Sequence, residues 1–180
     1  MSVERLTLSP TEGFSTGIGF YVNGMEEVRE QLRVALRGMS NDEIARRAVR
    51  GANPIGALAL HIGEAEWWWT QCNIAGREMT DEDRRMAHWD VLEDPDGFAA
   101  NGFSAQYCID AIDGISERTR ELVASFQDED LERLFSFTRR GEQVEVSLRW
   151  VLHHLIDHEA QHKGQILMLK RLLGEVAAER

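Results

Sequence analysis

The sequence predicts an all-α chain built as a four-helix bundle. Four long stretches place apolar residues at three-and-four spacing with charges on the opposite face. Their ends carry capping residues, proline or glycine. No internal repeat or low-complexity tract interrupts them, so four amphipathic helices bury their stripes most simply as an antiparallel-type bundle, in which a long connection permits a crossover. The 180 residues suit a single domain, 1–180, with residues 1–16 as an N-terminal arm.

The arm, Met1–Thr16, holds turn-forming Ser, Pro and Gly and little periodicity. From about Gly19 to Met39 the spacing of Met25, Val28, Leu32, Ala35, Leu36 and Met39 predicts the first long helix. Ser40 with Glu43 reads as a capping box that opens a short connecting helix, Asn41–Val49. Asn53-Pro54 predicts the next start, Asn as cap and Pro in the first helical position, where its missing N–H costs nothing. This second long helix is expected to reach Ala75 and stop at Gly76, with Leu58, Ala65, Trp68, Trp69 and Cys72 on the face of His61. Consecutive residues splay over about 200°, so at most two of Trp67–Trp69 face inward, for core packing or a subunit interface.

Arg77–Gly102 is charged and rich in turn formers, longer than ordinary connections, and reads as a loop that covers a site, with His88 and Trp89 able to reach back over the bundle. Ser104–Phe126 is the third long helix, its inner face Cys108, Ile112, Ile115, Leu122 and Phe126, ended by Asp128-Glu129-Asp130. Leu134–Val146 alternates around Arg140-Gly141 and predicts a short hairpin. Ser147 caps the last long helix, Leu148 to about Leu173, which Gly174 closes.

Composition excludes several functions. With 31 acidic against 20 basic residues the net charge is −11, which disfavours nucleic acid or an anionic membrane as partner. No apolar run approaches the ~20 residues needed to span a bilayer, and Met1–Phe20 lacks the segments of a secretory signal, so a soluble cytoplasmic protein is expected. Cys72 and Cys108 show no CxxC spacing and read as reduced core residues. GxSxG, P-loop and GxGxxG motifs are absent, which leaves nucleophilic serine and nucleotide chemistry unsupported.

Trp150–Lys170, WVLHHLIDHEAQHKGQILMLK, carries four of the six histidines. Taking His158 as the origin at about 100° per residue, Leu148, Val151, Leu155, His162, Ile166, Leu169 and Leu173 fall within roughly 80° of it. His158 and His162 thus hold positions where the pattern calls for Leu or Ile, and an unpartnered buried imidazole costs on the order of 1–3 kcal/mol. His153 points to solvent, and His154 lies at the stripe's edge. A histidine on a core stripe is commonly a hydrogen-bonded packing residue, but His61 on a second stripe supplies a third imidazole. Three neutral imidazoles suit a first-row divalent metal and leave a position for water or substrate. Cys72 lies about 16 Å along the helix from His61 and cannot complete that shell. Glu159 and Asp157 flank the pair and could orient a ring nitrogen; Gln165 could contact a bound water or substrate, or face solvent. A carboxylate-bridged di-iron site would need two Glu-x-x-His motifs, and only His61 with Glu64 comes near, in reversed order.

A helix with LHIGEAEWWW, followed downstream by RWVLHHLIDHEAQHKGQI, resembles the DinB/YfiT-like superfamily of bacterial metal-binding four-helix bundles. The likeness runs from about Gly19 through the MSNDEIARRA connector and the NP helix start, its most specific part being the terminal HxxxHxGQ-type segment. The resemblance implies a metal triad of His61, His158 and His162, with His154 outside the usual ligand set. It further implies zinc or a related ion (nickel, iron, manganese), a low-molecular-weight thiol as cosubstrate or water for hydrolysis, a small-molecule substrate and a homodimer. Two functions are therefore expected to compete: a metal-dependent thiol S-transferase or hydrolase, and a non-catalytic metal-binding or stress-response bundle.

Overall fold

The structure is a computed structural model, and it describes residues 7–178. The first six residues of the N-terminal arm lie outside the described residues. The chain is mostly helical with one small two-stranded sheet. In order come α1 (Thr16–Leu36), α2 (Asn41–Ala45), α3 (Ile55–Trp67) continued by a π-helical segment (Trp68–Ile74), α4 (Asp81–Met86), α5 (Pro95–Asn101), α6 (Ala105–Val123) and a 3₁₀ turn (Asp128–Glu132). A hairpin of β1 (Leu134–Arg139) and β2 (Glu142–Ser147) then leads into α7 (Leu148–Ala178). No described helix is long and apolar enough to cross a membrane.

Among the four long helices, α1 packs on α7 and α6, and α3 packs on α6 and α7, so the contacts close into a ring. The stripe residues predicted for α1 are all buried, from Met25 to Met39, as are Leu148, Val151, Leu155, Ile166, Leu169 and Leu173 on α7. Leu152 joins them, so the buried face of α7 is wider than the one read from the sequence.

Helix boundaries differ from the expectations for local reasons. The first helix begins at Thr16, where Asp128 Oδ1 accepts from the N–H of Gly17 (2.8 Å) and Ile18 (3.2 Å) and so satisfies donors its own cap leaves free. The Ser15 hydroxyl beside it, outside formed hydrogen-bond geometry, and the Gly17 N–H hold the Asp128 carboxyl below the usual carboxylate range. That helix ends at Leu36, followed by Gly38 at φ +79°. The Ser40–Glu43 capping box forms, but α2 stops at Ala45 rather than Val49. Pro54, not Asn53, occupies the cap of α3, its carbonyl accepting from Leu58 N–H (3.1 Å).

The largest departure lies beyond Trp67. There the helix widens: Ala75 N–H reaches Thr70 O (2.9 Å), and Asn73 Nδ2 donates to Trp68 O (2.7 Å). Each residue then turns less than 100°, and the face expected from α-helical arithmetic is lost. Cys72 therefore packs near Trp67, Met79 and Met86 instead of sharing the face of His61.

The Arg77–Gly102 connection is not a bare loop. Thr80 and Asp83 form a capping box for α4, and Asp94 caps α5, whose first residue is Pro95. Phe98 of α5 presses so closely on Gly56 that a Cβ there would lie 2.4 Å from its Cζ, which anchors the connection on α3. Ser104 caps α6, which ends at Val123, and the Asp128-Glu129-Asp130 run forms the 3₁₀ turn rather than a simple stop. The hairpin forms as read: Arg140 (φ +53°) and Gly141 (φ +84°) make a turn with two left-handed residues, whose twist suits a two-residue connection. Ser147 Oγ accepts from Trp150 N–H (3.2 Å), capping α7, and that helix runs through Gly174 instead of ending there.

Candidate metal centre

His61 comes from α3, and His158 and His162 from successive turns of α7 where that helix meets α3. Each offers one ring nitrogen, and the three nitrogens lie within 4.8 Å of one another. The His61 ring centroid is 5.3 Å from that of His158 and 5.1 Å from that of His162. All three are half-buried, so the cluster sits on the α3–α7 seam and not deep in the core.

Hydrogen bonds fix which nitrogen each ring presents. A carboxylate can only accept, so the His61 Nδ1–H donates to Glu64 Oε2 (2.8 Å) and leaves Nε2 as a lone pair. Likewise the His162 Nδ1–H donates to Gln165 Oε1 (3.0 Å). His162 Nε2 then faces His158 Nε2 at 3.1 Å, where the two share a proton or both turn lone pairs toward a cation. Burial, then the neighbouring His162 and His61, lowers the His158 pKa to about 3, and burial lowers that of His162. Neutral rings are what metal ligation requires. This donor set fits a divalent metal with three nitrogen ligands.

Glu64 is a site residue that the sequence reading passed over except as half of a failed di-iron motif. Its position three residues after His61 was the available signal. Its second oxygen accepts from Asp90 N–H (2.8 Å), so the long connection supports the partner of His61. Asp90 (φ +63°) and His88 (φ +53°) are both left-handed non-glycine residues, a backbone state that surrounding contacts must maintain. Replacing Glu64 with Gln keeps an acceptor for Asp90 but removes the charge behind His61. Metal affinity should fall about 10–100-fold, read by competition with a chromophoric chelator; an unchanged affinity would mean that Glu64 does not orient the ligand.

The other candidates are placed differently. Gln165 is exposed and bonded to His162, so it orients a ring. Glu159 is neither a surface charge nor a histidine partner: it is buried and accepts from Arg29 Nε (2.7 Å) and Nη2 (3.0 Å). Helix phase turns it about 100° from His158, toward α1. Asp157 accepts from Gln161 Nε2 (2.7 Å). His154 stacks on Trp150 outside the triad, and His153 is exposed. His88 does not reach the triad; its Nε2 meets Tyr107 Oη at 3.1 Å. Trp67 and Trp69 are buried in different clusters, with Trp68 half-buried. Cys72 and Cys108 are both free thiols.

A family model described as mycothiol-S-transferase matches residues 22–173. The chain belongs to the mycothiol-S-transferase family. As a mycothiol-S-transferase family member it is also a DinB/YfiT-like protein. A search of curated proteins finds no match. The matched span contains all three histidines and Glu64.

Sequence reading missed one further residue. Arg29 of α1 is 3% exposed, and its Nη2 donates to Glu66 Oε2 (2.7 Å) of α3, its Nη1 to the Ile112 carbonyl (2.9 Å) of α6, and its Nε to Glu159 of α7. One guanidinium thereby joins all four long helices. Burial opposes its charge, but Glu66 and Glu159 outweigh that and raise its pKa further, so it stays a cation.

Proposed function

We propose that this protein is a metal-dependent thiol S-transferase acting on a small molecule. His61, His158 and His162 would hold a divalent ion, with zinc the first candidate, and a low-molecular-weight thiol would be the cosubstrate. One observation carries the proposal: three ring nitrogens converge on a common point in a chain of the mycothiol-S-transferase family. When bound there, a divalent ion supplies Lewis acidity that lowers the pKa of a thiol in its open position, making thiolate available near neutral pH.

The chain's own residues prepare that position. Glu64 and Gln165 hold the Nδ1 protons of His61 and His162, which keeps both Nε2 lone pairs aimed inward. Burial keeps His158 neutral, so protons do not compete for it at physiological pH. The proposal extends to a single four-helix-bundle domain over 1–180, working as a cytoplasmic homodimer. The same centre would also suit water and hydrolysis; family membership favours the thiol.

Protein purified without a histidine tag should carry about one divalent ion per chain and accelerate the alkylation of mycothiol by iodoacetamide over the solution rate. Chelator treatment should abolish that acceleration. Fully metallated protein that leaves the reaction at its solution rate would overturn the transferase reading.

A further inference from the structure

Next to the triad lies a run of aromatic rings that packing explains only in part. Trp68 and Trp69 meet edge-on at 4.6 Å, and both meet Phe137 of β1 edge-on, at 5.4 and 5.5 Å. Those three rings dock the hairpin on the π-helical end of α3. Trp150 and His154 do not share that role. Trp150 is 43% exposed, yet its indole lies parallel to the His154 imidazole, 4.7 Å away at 10°. Trp69 closes against both, at 5.2 and 5.3 Å. An exposed indole held by two ring neighbours presents a flat apolar surface in a fixed orientation. His154 is in turn 5.8 Å from the His158 ring, so this surface adjoins the proposed metal ligands.

We propose that Trp150, His154 and Trp69 form the shelf that binds the electrophilic second substrate, and that this substrate is a planar aromatic or conjugated molecule. The inference rests on the S-transfer reading and deepens it. Along α7, His154 lies about 6 Å and Trp150 about 12 Å from His158. A ring stacked there can direct its reactive carbon at a thiol held over the triad. The other direction along α7 carries Gln161 and Gln165, exposed amides already bonded to Asp157 and His162, which offer a flat ring little to stack on. For an aryl halide, the thiol sulfur forms the new C–S bond as the C–halogen bond breaks. The halide leaves with the bonding pair, the thiol proton passes to solvent, and nothing is oxidised or reduced.

The test uses metal-loaded full chains, wild type, Trp150→Ala and Trp150→Phe, with mycothiol as thiol. The preference for 1-chloro-2,4-dinitrobenzene over iodoacetamide, as a ratio of kcat/KM, should fall about three- to ten-fold in Trp150→Ala and recover largely in Trp150→Phe. Metal content should not change. In parallel, equilibrium dialysis with unreactive 2,4-dinitrotoluene should give a Kd raised by the same factor in Trp150→Ala. Equal losses with both electrophiles, an effect confined to the KM for mycothiol, or a wild-type chain that does not bind 2,4-dinitrotoluene would each overturn the shelf. If no electrophile reacts, the transferase reading fails, and the dialysis still decides the shelf.

Discussion

The chain carrying both His158→Ala and His162→Ala should lose its metal entirely, with elemental analysis falling to background. The expected loss of affinity exceeds about 100-fold, because removing an outer-shell partner of a ligand already costs about 10–100-fold. Both side chains are half-buried on a seam, so helical content should survive and the loss can be assigned to ligation rather than unfolding. Wild-type metal content in the double variant would refute the triad.

Arg29→Met should be the most damaging single substitution for the fold. It leaves the Glu66 and Glu159 carboxylates buried, at 4% and 3% exposure, without their shared cation. Removing one partner of a buried ion pair costs about 3–5 kcal/mol, a large share of the roughly 5–15 kcal/mol that stabilises an ordinary domain. Urea denaturation measures it. The deficit should depend on pH with a definite sign. Burial already pushes the Glu159 carboxyl up against the pull of Arg29, and without that cation its folded pKa rises further above the unfolded value. Protonation is then favoured by the folded state, so the variant should recover stability as pH falls toward the unfolded carboxyl pKa and lose it as pH rises. A deficit independent of pH would mean that lost packing dominates over stranded charge.

What the sequence revealed depended on whether ordinary α-helical periodicity held. Over α7 and the first turns of α3 it did, and phase alone selected His61, His158 and His162 from six histidines. Beyond Trp67 the π-helical segment changed the rotation per residue, and Cys72 went to a different face. Arg29 escaped because charges were taken to mark the solvated side, although it lies about 60° from Leu32, at the edge of the stripe just beyond Leu36. Glu159 was misread in the same way, between Ile166 and Leu152. The short helices of the connection carried legible caps at Thr80–Asp83 and Asp94-Pro95, which the high charge of that tract obscured. The Glu64–Asp90 contact joins residues 26 apart through a backbone N–H, which leaves no pattern in side-chain chemistry.

The position of Arg29 also bears on how the two helices that carry the histidines are held together. Glu159 follows His158 directly on α7 but points about 100° away from it, and Glu66 lies five residues beyond His61 on α3, so Arg29 grips both of those helices without facing the histidines. By engaging one carboxylate on each, the guanidinium ties α3 to α7 through α1. A buried cation on a third helix would thus fix the spacing across which the three histidines meet.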